Sequence, residues 1–114
     1  MDLKISGKVA LITGSNRGIG KATAITLSKE GVNIALLARN EKLLSQTKEE
    51  ISQISPDIKI DYFICDTKSN KDVEETVEKI EKVFGTIDIL VNCAAALPEE
   101  SNLENFDDKK LFEQ

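Results

Sequence analysis

Apolar residues along this chain fall into short unbroken runs, separated by longer stretches in which they recur every three or four positions. Residues 8–13 (Lys-Val-Ala-Leu-Ile-Thr) form one such run and end at Gly14, which predicts a strand buried on both faces. Residues 18–30 predict a helix with apolar contacts from Ile19, Ala22, Ile25 and Leu27, and Gly31 suits the position just past its end. Residues 33–38 (Asn-Ile-Ala-Leu-Leu-Ala) predict a second buried strand. Asn40 is suited to cap the next helix, on which Leu43, Leu44, Thr47, Ile51 and Ile54 share a face and which Pro56-Asp57 ends. Residues 59–65 predict a third strand, and Ser69 with Asp72 resembles a capping box. The helix over residues 70–84 places Val73, Val77, Ile80 and Phe84 on one face, and Gly85 closes it. Residues 87–92 predict a fourth strand; residues 97–106 are polar and loop-like, and a further helix is expected from Asp107.

The order β-α-β-α-β-α-β predicts an α/β fold, a doubly wound parallel sheet with right-handed crossovers. No internal repeat, linker or low-complexity tract divides the 114 residues, so they are expected to form one domain or part of one. The net charge of −5 and the scattered Lys and Arg argue against broad affinity for nucleic acid or an anionic membrane. No apolar run approaches a bilayer span and the start lacks a signal-peptide core, so a cytoplasmic location is expected. With no histidine and only Cys65 and Cys93, a Cys/His zinc site and a His-dependent nucleophile are excluded from this chain; no metal is expected.

Thr13-Gly14-Ser15-Asn16-Arg17-Gly18-Ile19-Gly20 joins the first strand to the first helix. A helix N-terminus offers unpaired N–H groups and about half a positive charge, which suit a pyrophosphate. Gly14 permits the sharp turn, Gly18 a close approach of backbone to phosphate, and Gly20 tight packing of helix on strand. A nucleotide P-loop does not fit, because five residues separate Gly14 from Gly20 and Ala22 stands where a magnesium-ligating hydroxyl belongs.

The spacing Thr-Gly-x-x-x-Gly-Ile-Gly resembles the signature of the short-chain dehydrogenase/reductase family. Asp66 after the third strand, Asp88-Ile89-Leu90-Val91-Asn92 as the fourth, and Asn92-Cys93-Ala94-Ala95 in place of the family's Asn-Asn-Ala-Gly agree with it. The resemblance implies a Rossmann-like sheet of strand order 3-2-1-4, with the first two helices on one face and the third on the other. It also implies that Thr13 and Asn92 brace the top of the sheet, that Asp66 and Thr67 lie against the adenine, and that Ala94 lines the adenosine side. Cys93 and Ala95 depart from the pattern.

An NAD-preferring site usually carries Asp or Glu at the end of the second strand. None occurs from Leu36 to Asn40; Arg39 stands there, and Arg17 lies in the glycine loop. In this family the pair resembles the NADP(H)-preferring pattern, so NADP(H) is the expected cofactor and NAD(H) the weaker ligand.

The resemblance further implies an Asn, a Ser and a Tyr-x-x-x-Lys pair that act on a small carbonyl or alcohol substrate in a homo-oligomer. The one tyrosine, Tyr62, sits inside the third strand with no Lys four residues on, so no catalytic role is expected for any residue present and the chain alone is expected to be inactive. Residues 106–114 resemble the helix that leads to the family's Asn, so truncation after the fourth strand is expected, with an apolar edge prone to aggregation. Cys65 and Cys93, at the same end of the sheet with two strands between them, are too distant for a disulfide. An NADP(H)-dependent oxidoreductase part, a non-catalytic NADP(H)-binding module or sensor, and an inactive gene fragment remain alternative readings, with the substrate undetermined.

Overall fold

The structure, a computed structural model, describes residues 4–14 and 18–93. Seven elements alternate along it: β1 (Val9–Thr13), α1 (Gly18–Lys29), β2 (Asn33–Ala38), α2 (Glu41–Ile54), β3 (Ile60–Ile64), α3 (Asn70–Phe84) and β4 (Ile89–Asn92). The strands form one parallel sheet in the expected order β3-β2-β1-β4. Register is continuous across it: Leu11 lies beside Ala35 on one side and Leu90 on the other, and Ala35 beside Asp61. The loop and further helix expected after residue 96 lie outside the described residues.

The central position of β1 explains its lack of polar alternation, since helices cover both faces and all five residues are buried. Successive side chains point to opposite faces. Ala10, Ile12, Ile34 and Leu36 pack with Ala24 of α1 and with Leu44 and Ile51 of α2. Leu11, Ala35 and Leu37 pack with Cys65, and with Val73 and Ile80 of α3. Two helices therefore lie on one face and one on the other.

Three helix faces differ in detail from the sequence expectation. In α1 the buried residues are Gly20, Ala24 and Ser28, while Ile19 is 78% exposed and Ala22 is exposed. Positions 20, 24 and 28 form one i, i+4 row of small side chains, which lets the helix approach the sheet closely. Ile25 and Leu27 remain as half-buried flanks of that row. In α2, Leu44, Thr47 and Ile51 are buried but Ile54 is 44% exposed, because Ser55, the residue after the helix, takes the inward position. Its hydroxyl donates to that of Ser28 at 3.0 Å and so ties the ends of α1 and α2 together. In α3, Thr76 is buried between Val73 and Ile80, whereas Val77 and Phe84 pack at the margin. The fourth strand begins at Ile89 rather than residue 87.

Side chains fix the amino ends of the strands. The Asp88 carboxylate accepts the Val9 N–H at 2.9 Å, while the Asp88 N–H donates to the Val9 carbonyl at 2.9 Å. Asn33 accepts the Lys59 N–H at 2.8 Å and donates to the Gly7 carbonyl at 3.3 Å, so it joins the approaches to three strands. On the outer edge of β3, Asp61 Oδ1 accepts the N–H of Tyr62 at 2.8 Å and pairs with Lys48 at 3.4 Å. A backbone donor that could recruit another strand is thereby satisfied.

Candidate functional site

All four strands run the same way, so their carboxyl ends lie along one rim, where α1, α2 and α3 also begin. Ligands of open α/β sheets bind beyond this rim where the strand order reverses, here between β1 and β4. Of the residues singled out in the sequence, Gly14, Gly18, Ile19, Gly20, Arg39, Asp66, Thr67 and Asn92 are placed on or next to the rim. Ser15, Asn16, Arg17 and Ala94 lie outside the described residues, as does Ala95.

Gly14 leaves β1 with φ +65°, and its N–H donates to the Leu37 carbonyl at 2.8 Å. Gly18 opens α1 with φ +59°, a region that disfavours side chains, and among the described residues a Cβ built there meets no atom within 4 Å. It is exposed, whereas Gly20, two residues further and on the other side of the helix, is buried. The three glycines thus differ in setting: Gly14 at a turn with positive φ, Gly18 exposed and Gly20 buried. A helix of 12 residues whose first two residues are exposed, with no acidic residue in its first turn, has the donor set a diphosphate requires. The chain fits a dinucleotide on that ground.

Thr13 and Asn92 act as a brace. Thr13, fully buried, donates from Oγ1 to Asn92 Oδ1 at 2.8 Å, and the same oxygen accepts the Cys93 N–H at 3.1 Å. The link ties the end of β4, at Asn92 and Cys93, to the end of β1. Cys93 is half-buried and Cys65 is buried, and both are free thiols.

Arg39 follows β2 directly and is exposed, with no ion-pair partner among the described residues. The two polar residues after it are engaged elsewhere. Asn40 caps α2 by accepting the Leu43 N–H at 3.1 Å, and the Glu41 carboxylate accepts the Tyr62 hydroxyl at 3.3 Å. That contact turns Glu41 towards β3; desolvation first, then the Glu41 charge, pushes the Tyr62 phenol up. The β2 end therefore presents a guanidinium and no acceptor carboxylate from its own strand or cap.

Asp66 and Thr67 lie in a tight turn between β3 and α3. The Ser69 N–H donates to the Asp66 carbonyl at 3.0 Å, and Asp66 Oδ1 accepts the Lys68 N–H at 3.0 Å. Ser69 caps α3 by accepting the Asp72 N–H at 3.2 Å. The capping box is only half formed, because the Asp72 carboxylate accepts the Asp66 N–H at 2.6 Å instead of that of Ser69. Sequence reasoning found the cap but missed this contact; the Ser-x-x-Asp spacing signals a helix start and does not say which backbone donor the acid will meet. The second contact it missed, Glu41 with Tyr62, joins residues 21 positions apart and has no local signal.

A family model described as short chain dehydrogenase matches residues 8–114 of this chain. The human protein Short-chain dehydrogenase/reductase 3 is 38% identical over 111 residues, a match that covers 96% of this chain and 36% of that protein. L-Sorbose reductase from Gluconobacter frateurii, solved in complex with NADPH and L-sorbose, superposes with a TM-score of 0.81 at 36% identity over 98% of this chain and 43% of its own. NAD+-bound xylitol dehydrogenase superposes with a TM-score of 0.80 at 30% identity over 96% of this chain and 46% of its own. The chain thus spans little more than a third of the human relative and less than half of either solved chain.

Proposed function

This chain belongs to the short chain dehydrogenase family, and on that premise we propose that it is the NADP(H)-binding part of an oxidoreductase that interconverts a carbonyl and an alcohol on a small molecule. The dinucleotide would supply or accept the hydride. The chain's own residues bind and orient it: the α1 amides and Gly18 hold the diphosphate, Arg39 and Arg17 the ribose 2′-phosphate, and Asp66, Thr67 and Ala94 the adenine side. Ser15, Asn16 and Ile19 complete the loop, and Asn92 holds its floor through Thr13.

The choice of NADP(H) over NAD(H) rests on the end of β2. Structural neighbours carry either cofactor, NADPH in L-sorbose reductase and NAD+ in xylitol dehydrogenase, so kinship alone does not decide. Exposed Arg39, with Asn40 committed to its helix and Glu41 to Tyr62, is the observation that carries the reading. A charge-assisted hydrogen bond from Arg to phosphate contributes about 1.5–3 kcal/mol, which is roughly a 10- to 100-fold preference from Arg39 alone. Titration should show tighter binding of NADPH than NADH, and Arg39→Asp should narrow or reverse the order. Equal affinities in the unmodified protein would refute the assignment.

No proton-transfer step is placed on these residues. Tyr62, the one tyrosine, hydrogen-bonds to Glu41 on the α2 side of β3.

A further inference from the structure

We propose that Asp72, in the first turn of α3, is a positioning residue that aims Asp66 and Thr67 at the adenine, an inference that rests on the dinucleotide reading above. Three hydrogen bonds close a ring around the turn. The Asp66 N–H donates to Asp72 Oδ2 at 2.6 Å, the Asp72 N–H to Ser69 Oγ at 3.2 Å, and the Ser69 N–H to the Asp66 carbonyl at 3.0 Å. Ser69 and Asp72 belong to the start of α3, which is packed on the sheet through Val73, Thr76 and Ile80, while Asp66 belongs to the loop. The ring therefore transfers the rigidity of a helix to a turn that has no apolar anchor of its own after Cys65. A side chain that acts through a neighbour's backbone in this way sets direction without touching the ligand.

The orientation of Asp66 follows. Its Oδ1 is held by the Lys68 N–H at 3.0 Å, so only Oδ2 is without a hydrogen bond among the described residues. With the backbone fixed at both its N–H and its carbonyl, the carboxylate has one direction in which to offer that oxygen. An adenine amino group is a donor suited to it. The opposite side of Asp72 is closed as well: burial pushes the Cys65 thiol up, the Thr76 hydroxyl lies against it and lowers it in part, and the Asp72 charge adds to the rise. Thr76 itself donates to the Asp72 carbonyl at 2.7 Å.

The test compares NADPH with its hypoxanthine analogue, which has oxygen in place of the adenine amino group, by fluorescence titration of the 114-residue chain and its variants. The unmodified chain should bind NADPH about tenfold more tightly than the analogue, the ratio of one hydrogen bond to a charged acceptor. Asp72→Ala should shrink that ratio to about twofold by weakening NADPH and not the analogue. Asp72→Asn, whose carboxamide oxygen can still accept the Asp66 N–H, should restore it. Asp72→Ser has a hydroxyl too short to reach Asp66 and should repeat the Ala result in a residue well suited to a helix start. Equal weakening of both ligands by the Ala and Ser variants would show a merely structural role and overturn the proposal, as would an unchanged ratio. Failure of the unmodified chain to bind either ligand would instead remove the dinucleotide reading, and this inference with it.

Discussion

At the scale of single residues, the two thiols are chemically unlike although both sit at strand ends on the same rim. Cys65 is 1% exposed and burial raises its pKa, whereas Cys93 is half-buried beside the Thr13 brace. The thiolate is the reactive form, so iodoacetamide at pH 8 should label Cys93 well ahead of Cys65 when labelling sites are mapped by mass spectrometry. Cys65 also ties stability to pH. Its thiol titrates near the ordinary value of about 8.5 in the unfolded chain and higher in the folded one. Above that value the unfolded chain has released a proton that the native chain retains, so the stabilisation present at lower pH is lost as pH rises towards the folded value. Urea midpoints should therefore fall between pH 8 and 9.5, and fall less steeply in Cys65→Ala even though that variant is less stable throughout. The place of Cys65 at the end of the third strand was legible in sequence; its contacts with Asp72 and Thr76 were not, since they depend on how α3 crosses the end of β3.

At the scale of elements, α1 shows where a hydrophobicity pattern misleads. Ile19 and Ala22 were expected to face the core, yet the inward row is Gly20, Ala24 and Ser28. Apolar character marks residues that can be buried, whereas a helix lying close to a sheet requires residues small enough to be there. The difference is testable by size alone. Ala24→Leu forces extra methyl groups between α1 and the buried residues of β1 and β2 and should cost about 1–3 kcal/mol. Ala22→Leu, on the exposed side, should change stability by no more than about 0.5 kcal/mol. Chemical denaturation of the two variants decides the face, and a reversed order would restore the sequence expectation. The caps, by contrast, were readable in sequence, because Asn40 and Ser69 act on backbone donors three residues away.

At the scale of the whole molecule, one sheet serves two hydrophobic cores. Leu36 and Leu37, neighbours in β2, belong to opposite faces, so the α1–α2 layer and the α3 layer share their strands. Damage to either layer should therefore be felt in both. Ile80, fully buried in the α3 core, belongs to the other core from Tyr62, which packs on the α2 side and is the only tyrosine in a chain without tryptophan. Ile80→Ala should cost about 2–5 kcal/mol. Tyr62 fluorescence should shift its unfolding midpoint together with the far-ultraviolet circular dichroism. A Tyr62 transition that stayed in place while the helical signal moved would mean that the layers unfold separately.

Sequence alone determined what depends on neighbours along the chain. The alternation of elements, the helix starts at Asn40 and Ser69, the glycine turn after β1 and the absence of an acid from Leu36 to Asn40 are all local, and the parallel strand order followed from them together with the resemblance at residues 13–20 and 88–92. Tertiary structure decided what depends on distance in space. It chose which side of α1 faces inward, committed Glu41 to Tyr62, and turned Asp72 from its own cap to the amide of Asp66. The physical reason is that periodicity fixes the angle between side chains on one element but not the rotation of that element against another, which is set by packing volume and by which buried polar groups find partners.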